Sequence, residues 1–510
     1  MLVAALSAAP AAHAAKSCAE PGATWDRATP AEAGLDAAKL QEAIDYGSTQ
    51  ESFAIRVYRH GCLVGEDRAA AANSNTTFES WSMAKSVVSL IFGRAMAKRL
   101  ISPDDPVGSL LPEADGPHGA ITMRDLLTMT SGLYWNGFRD YNIFTQPDRV
   151  HDALTLPVAH PPGTYFEYAQ STVALLAEAI SRSAGEDVQE WAQRELMDPL
   201  GIPAGSWRWE RDRAGHVQGF WGVNMRPDDF GRLGELMRRG GKWRGRRLLA
   251  KAYMRQSIAP SRTNGCYGWL HWLNAAAPCV GPTITERPVE DDRDFPDLPA
   301  DMYQFSGLFG QRVTQFPSLG IVFVRTGQDP GLVFAGDTEW EHGLYTRLLA
   351  AVVDQKVERP GPPPRGPAQP EADYGFQTAI REPDQYGKGL LQDPLPPPGP
   401  QRARAAQLWL AAKRATGGGV VSIGFACPGT WPGHEGQACT GTARLAGATR
   451  ALAYDLPAGR MTTLRFRLAA KTLRSLRRSK FRTLQLTATN GAVGGPTPAR
   501  VPIAVKRPLR

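Results

Sequence analysis

Beyond a short apolar stretch at the N-terminus, this 510-residue sequence has no run approaching the roughly 18 uncharged apolar residues that cross a bilayer. No transmembrane segment is therefore expected. Metal-ligand spacing is missing too: the six cysteines and nine histidines form no C-x-x-C pair and no histidine cluster, so neither a metal nor any other cofactor is expected. Acidic residues are scarce at one end. From Gln401 to Arg510 there are 19 lysines and arginines against only Glu435 and Asp455, a net +17, while the preceding residues carry −9. A mildly acidic body joined to a basic tail suits attraction to an anionic cell-wall or surface polymer, or is simply a solvated basic face. No specific nucleic-acid partner is expected.

What is present fits an ordinary globular chain. Hydrophobic residues make up 42% and charged residues 21%, while 52 glycines and 41 prolines imply long non-helical stretches. The length suggests about two or three domains. Residues 1–14 read as a signal peptide, with an apolar run Leu2–Ala12 and a small-x-small site at Ala12-His13-Ala14, although the usual basic start is missing. Export would allow the cysteines to pair, and of the 15 connectivities that six cysteines permit, the spacing suggests Cys18 with Cys62, Cys266 with Cys279, and Cys427 with Cys439.

Three further regions follow. Residues 18–356 alternate helical and strand patterns: a helix near Asp36–Tyr46, a hairpin at Phe53–Tyr58 and Leu63–Glu66, late strands at Met302–Phe305, Gln311–Gln315 and Gly320–Arg325, and a closing helix at Glu339–Val353. Strands at both ends enclosing a helical middle imply an α/β (α+β) fold with one antiparallel sheet assembled from distant segments. Residues 357–400 form a Pro-rich linker. Residues 401–510 alternate apolar residues between Gly and Pro turns, at Val420–Phe425, Thr463–Leu468 and Thr483–Thr489, as a small β-sandwich would.

The chemistry concentrates at Ser82-Met83-Ala84-Lys85, which opens an apolar helical run ending at Lys98. Residues three apart share a helix face, so the Lys85 amine reaches the Ser82 hydroxyl. A serine is a weak nucleophile until a base takes its proton, and a lysine serves once burial brings its pKa toward neutrality. A second segment, Pro162-Gly163-Thr164-Tyr165-Phe166-Glu167-Tyr168-Ala169-Gln170, leads into a helix at Val173–Ile180 and can present Tyr168 as a proton relay. A third, Tyr303 to Gln311, carries Ser306-Gly307-Leu308 on a strand whose glycine lets a substrate backbone lie close. Tyr267–Trp272, between two cysteines, reads as a strand, with His271 structural.

In this order the segments resemble the serine β-lactamase and penicillin-binding protein superfamily, the group known for S-x-x-K. Thr122–Leu133 is similar to the "LLTHTSGL" stretch of its class C branch, and Phe166-Glu167-Tyr168-Ala169-Gln170 to the Y-x-N segment. The wording around Ser82 and at Ser131–Asn136 is closest to 6-aminohexanoate-dimer (nylon oligomer) hydrolases and related esterases. The resemblance implies a β-lactamase/transpeptidase-like fold over about Trp25–Val353. It also implies roles: Ser82 as nucleophile, Lys85 as base, Tyr168 as second proton carrier, and the backbone N–H groups of Ser82 and Leu308 as the oxyanion hole. Gly307, Ser306, Gln170 and Tyr141 would contact a small ester or amide substrate.

Two departures bear on activity. Gln170 stands where asparagine is usual, and Phe305-Ser306-Gly307 replaces the K-T-G or H-x-G triplet, removing the cation that would clamp a substrate carboxylate. A secreted or periplasmic bacterial esterase or amidase is the expected function. The alternatives are a β-lactamase or D-Ala-D-Ala carboxypeptidase, a non-catalytic cell-wall binder, and an adhesive protein.

Overall fold

The computed structural model describes residues 15–135, 140, 143, 146–282, 289–328 and 338–367, together with separate stretches between 407 and 505. At its centre is a six-stranded antiparallel sheet. In chain order the strands are β1 (Ser52–Arg59), β2 (Cys62–Glu66), β3 (Trp272–Leu273), β4 (Tyr303–Gly307), β5 (Gln311–Phe316) and β6 (Ile321–Gly327), and in space they run β2-β1-β6-β5-β4-β3. The hairpin from the start of the chain thus pairs with the last strand, Ile55 opposite Arg325 and Tyr58 opposite Val322.

Successive side chains on a strand point to opposite faces, and the sheet uses both. Ile321 and Phe323 enter one apolar layer, Val322 and Val324 the other. The first layer is closed by α1 (Ala37–Gly47), whose first turn is capped by Asp36, and by a C-terminal helix, Thr338–Ala350, through Leu40, Ile44, Leu344 and Leu348. The second is larger. It contains α2 (Met83–Ala97), α3 (Gln170–Ala184) and α4 (Pro227–Arg238).

Every residue of α2 from Met83 to Ala95 is buried, as a helix apolar on all sides requires. The sequence places this helix within a residue at each end. α3 starts three residues earlier than its apolar pattern indicates and stops at Gly185, which takes a left-handed φ of 75°.

The pairs Cys18–Cys62 and Cys266–Cys279 are disulfide-bonded, with Cα atoms 5.1 and 5.0 Å apart. Cys427 lies outside the described residues. The expected strand at Tyr267–Trp272 is a correction. Only Trp272 and Leu273 join the sheet, opposite Gln304 and Tyr303, while Tyr267 makes a single bridge back to Trp272; between them the chain turns at Leu270, which takes a left-handed φ of 58° and donates its N–H to Leu127 O and Gly268 O.

The first residues of the Pro-rich segment lie on the body. Ala277 donates to Pro364 O, Gly366 donates to Ala277 O at 2.7 Å, and Arg293 donates to Gly361 O. In the basic segment, strands include Val420–Ala426, Cys439–Leu445, Met461–Arg467 and Arg482–Asn490, with a helix, Ala470–Arg478, that the alternation pattern does not reveal.

Candidate active site

Ser82 begins α2 directly after Trp81, whose φ of 47° is a conformation that bulky residues seldom adopt. A serine in this position ordinarily caps its own helix, but the Ser82 hydroxyl makes no capping bond. Instead Lys85 Nζ donates to Ser82 Oγ at 2.8 Å and to Phe220 O at 3.2 Å. The amine also lies 4.6 Å from the centroid of the Tyr168 ring.

Lys85 is 1% exposed. Burial holds its amine down to a pKa of about 7, against the opposing attraction of the Asp140 carboxylate. An amine poised there is partly neutral, and its lone pair then faces the serine hydroxyl.

Tyr168 is buried in the loop before α3, against Trp272 and the edge of Tyr267. Asp140 accepts from the backbone N–H of Gln170 at 2.9 Å, capping α3 from another segment. Gln170 itself is buried, and its Oε1 has no hydrogen-bond partner among the described residues.

Gly307 ends β4 against the turn of Ser82. A Cβ there would lie 2.3 Å from Ser80 O and 3.2 Å from Met83 N, so only glycine permits the approach. Leu308 follows on the same half-buried edge, with Ser306 before it. Across the sheet from Ser306 stands Arg312. Its buried guanidinium is engaged by Glu341 and by the carbonyls of Gly307 and Gln311, so it does not replace the missing clamp.

The structure thus brings Ser82, Lys85, Tyr168, Gln170 and the Ser306–Leu308 edge into one region. Tyr141 lies outside the described residues. His271 stacks on Phe305 at 5.2 Å and contacts the Tyr253 hydroxyl, and burial drives its pKa down to about 3, the behaviour of a neutral core residue.

Three participants escape a reading of the sequence. They are Asp140, the carbonyl of Phe220, and Glu79, which accepts from the N–H groups of Trp81 at 2.9 Å and Gly222 at 2.8 Å and from Asn224 Nδ2 at 3.0 Å. Only Glu79, three residues before Ser82, leaves a local trace.

This sheet, helix and serine–lysine pair define the class of β-lactamase-fold serine hydrolases. The Beta-lactamase family profile matches residues 40–344, more than half of the chain, and the protein belongs to that family. A candidate 6-aminohexanoate-dimer hydrolase from Bacillus anthracis shares the fold at a TM-score of 0.50 and 16% identity, over 66% of this chain and 89% of that one. A candidate β-lactamase from Bacteroides dorei DSM 17855 does so at 0.50 and 18%, over 63% and 100%. Esterase EstB of Burkholderia gladioli is 27% identical over 161 residues, 28% of this chain; the match spans 41% of the esterase.

Proposed function

We propose that the protein is a secreted serine hydrolase acting on a small ester or amide through a Ser82 acyl-enzyme. The observation that carries this reading is the 2.8 Å contact between Ser82 Oγ and a buried Lys85 amine whose pKa is about 7. Lys85 takes the hydroxyl proton as Oγ attacks the carbonyl carbon, and the Ser82 and Leu308 N–H groups hold the oxyanion. The leaving alkoxide or amine departs with a proton delivered through Tyr168. Water then attacks the acyl-serine by the reverse proton route, releasing the acid and restoring Ser82.

Ester or simple amide hydrolysis is favoured over β-lactam or carboxypeptidase chemistry. Ser306 supplies no cation, and Arg312 is committed to Glu341. The partial likeness to an esterase agrees with this choice.

Residues 1–14 act as the leader, 18–356 as the hydrolase, 357–400 as a linker and 401–510 as a basic domain that holds an anionic polymer. Two disulfides support an oxidising compartment, and exposed Arg444, Arg450, Arg465, Arg467, Lys471 and Arg474 support the polymer contact. The decisive experiment is labelling with a fluorophosphonate probe, followed by peptide mapping. Modification at Ser82, abolished in Ser82→Ala along with ester turnover, is expected; an unlabelled but folded wild-type protein overturns the proposal.

A further inference from the structure

Beside Ser82 stand three half-buried aromatic residues, Trp81, Trp221 and Phe309, each from a segment that also carries an atom of the site. Trp81 precedes the serine, Trp221 follows the carbonyl that Lys85 contacts, and Phe309 follows Leu308. The edge of one ring meets the other in the Trp81–Phe309 pair, with centroids 5.1 Å apart, and Trp81 lies 5.9 Å from Trp221.

Two of the three are strained. Trp81 has a φ of 47° and Phe309 one of 60°, a region that glycine enters freely and that strains a bulky residue. Each is fixed by a charged side chain. Glu79 accepts from Trp81 N–H at 2.9 Å. The fully buried Arg325 donates to Phe309 O at 3.2 Å and Gly310 O at 2.9 Å. Trp221 is held in turn, its Nε1 donating to Gln218 Oε1 at 3.1 Å and its carbonyl accepting from Trp209 Nε1 at 3.0 Å. Glycine at positions 81 and 309 would remove the strain, so the rings themselves are what the two turns preserve.

Resting on the acyl-enzyme reading, we infer that Trp81, Trp221 and Phe309 form a specificity wall selecting esters with a flat, uncharged aromatic group beside the scissile bond. Ring faces and edges give an aromatic group offset or edge-on contacts that an alkyl group of similar reactivity lacks, each worth a several-fold preference. The same wall offers a carboxylate nothing, in keeping with the uncharged Ser306.

The test uses the full chain and two substrates, phenyl acetate and ethyl acetate. The aryl-over-alkyl ratio of kcat/KM is measured in the wild type, Trp81→Gly, Phe309→Gly and the double variant, so that intrinsic reactivity cancels. Each single variant should lower the ratio about threefold and the double variant about tenfold, with an unchanged circular dichroism spectrum showing that the fold is kept. A ratio unchanged in the double variant overturns the wall. Should the wild type label at Ser82 yet show no ratio change on mutation, the wall alone fails; should it not label, the acyl-enzyme reading fails first.

Discussion

Glu79 and Gly222 lie 143 residues apart, and a 2.8 Å hydrogen bond joins them. Because the same carboxylate also holds Trp81 N–H, it ties the turn before Ser82 to the loop whose Phe220 carbonyl receives Lys85. Glu79→Ala should lower kcat by tenfold or more with KM changed less than threefold, since misplacement by a fraction of an ångström weakens the reacting geometry more than binding. Glu79→Gln, which keeps an acceptor oxygen, should recover part of the loss. Equal losses in both variants would show that charge, and not placement, is what matters.

The rate on a small ester should rise with pH along a limb centred near 7, where burial places the Lys85 amine. Lys85→Arg should be nearly inactive, because a guanidinium stays protonated and cannot accept the serine proton. A pH–rate profile of kcat/KM checks both. An arginine variant with a wild-type profile would remove Lys85 from the base role.

The same amine should cost stability. Its pKa is about 7 folded and 10.5 in the unfolded chain. Above pH 10.5 it is neutral in both states and has no effect; as pH falls toward 7 only the unfolded chain takes the proton, so the cost grows and is complete below 7. Lys85→Met should therefore be inactive yet more stable than wild type by on the order of a few kcal/mol at pH 6. The advantage should vanish near pH 11, as urea unfolding at the two pH values would show.

His216 works in the opposite sense. Burial alone would lower its pKa, but Glu178 at 3.0 Å, with Asp212 and Asp148, raises it to about 10. Its ion pair is fully stabilising below pH 6.5 and is lost as pH rises through 10. His216→Gln should be a few kcal/mol less stable than wild type at pH 6. Calorimetry at pH 6 and 10.5 should show that gap narrowing.

Removing residues from 368 onward should leave ester turnover within about twofold of wild type, since no proposed catalytic group lies there, and should weaken retention on an anionic polymer at low salt. Removing residues from 357 onward should also lower the melting temperature, because the backbone bonds to Ala277 are lost. Identical melting curves for the two truncations would show that this strap adds nothing.

Local signals carried most of the fold. The 52–66 hairpin, α2 and the three late strands all show the alternation or apolar run that their burial demands, and Ser82 and Lys85 stand out through their spacing taken together with the family resemblance of the segments around them. The surroundings of that pair were not legible. Phe220 reaches Lys85 through a carbonyl, which every residue possesses, and Asp140 acts across a gap of 30 residues on the N–H of Gln170. Tyr267–Trp272 misleads for a different reason: six residues with strand-like composition are broken by a left-handed leucine, a conformation that composition does not encode.

The sheet order has a consequence for biogenesis. β1 finds its central neighbour only in β6, some 270 residues later in sequence, so the sheet cannot close until more than half of the chain has been made. Such long-range pairing slows folding by raising contact order. Until the sixth strand is made, the early hairpin keeps an unpaired inner edge, and the nascent chain holds no completed sheet.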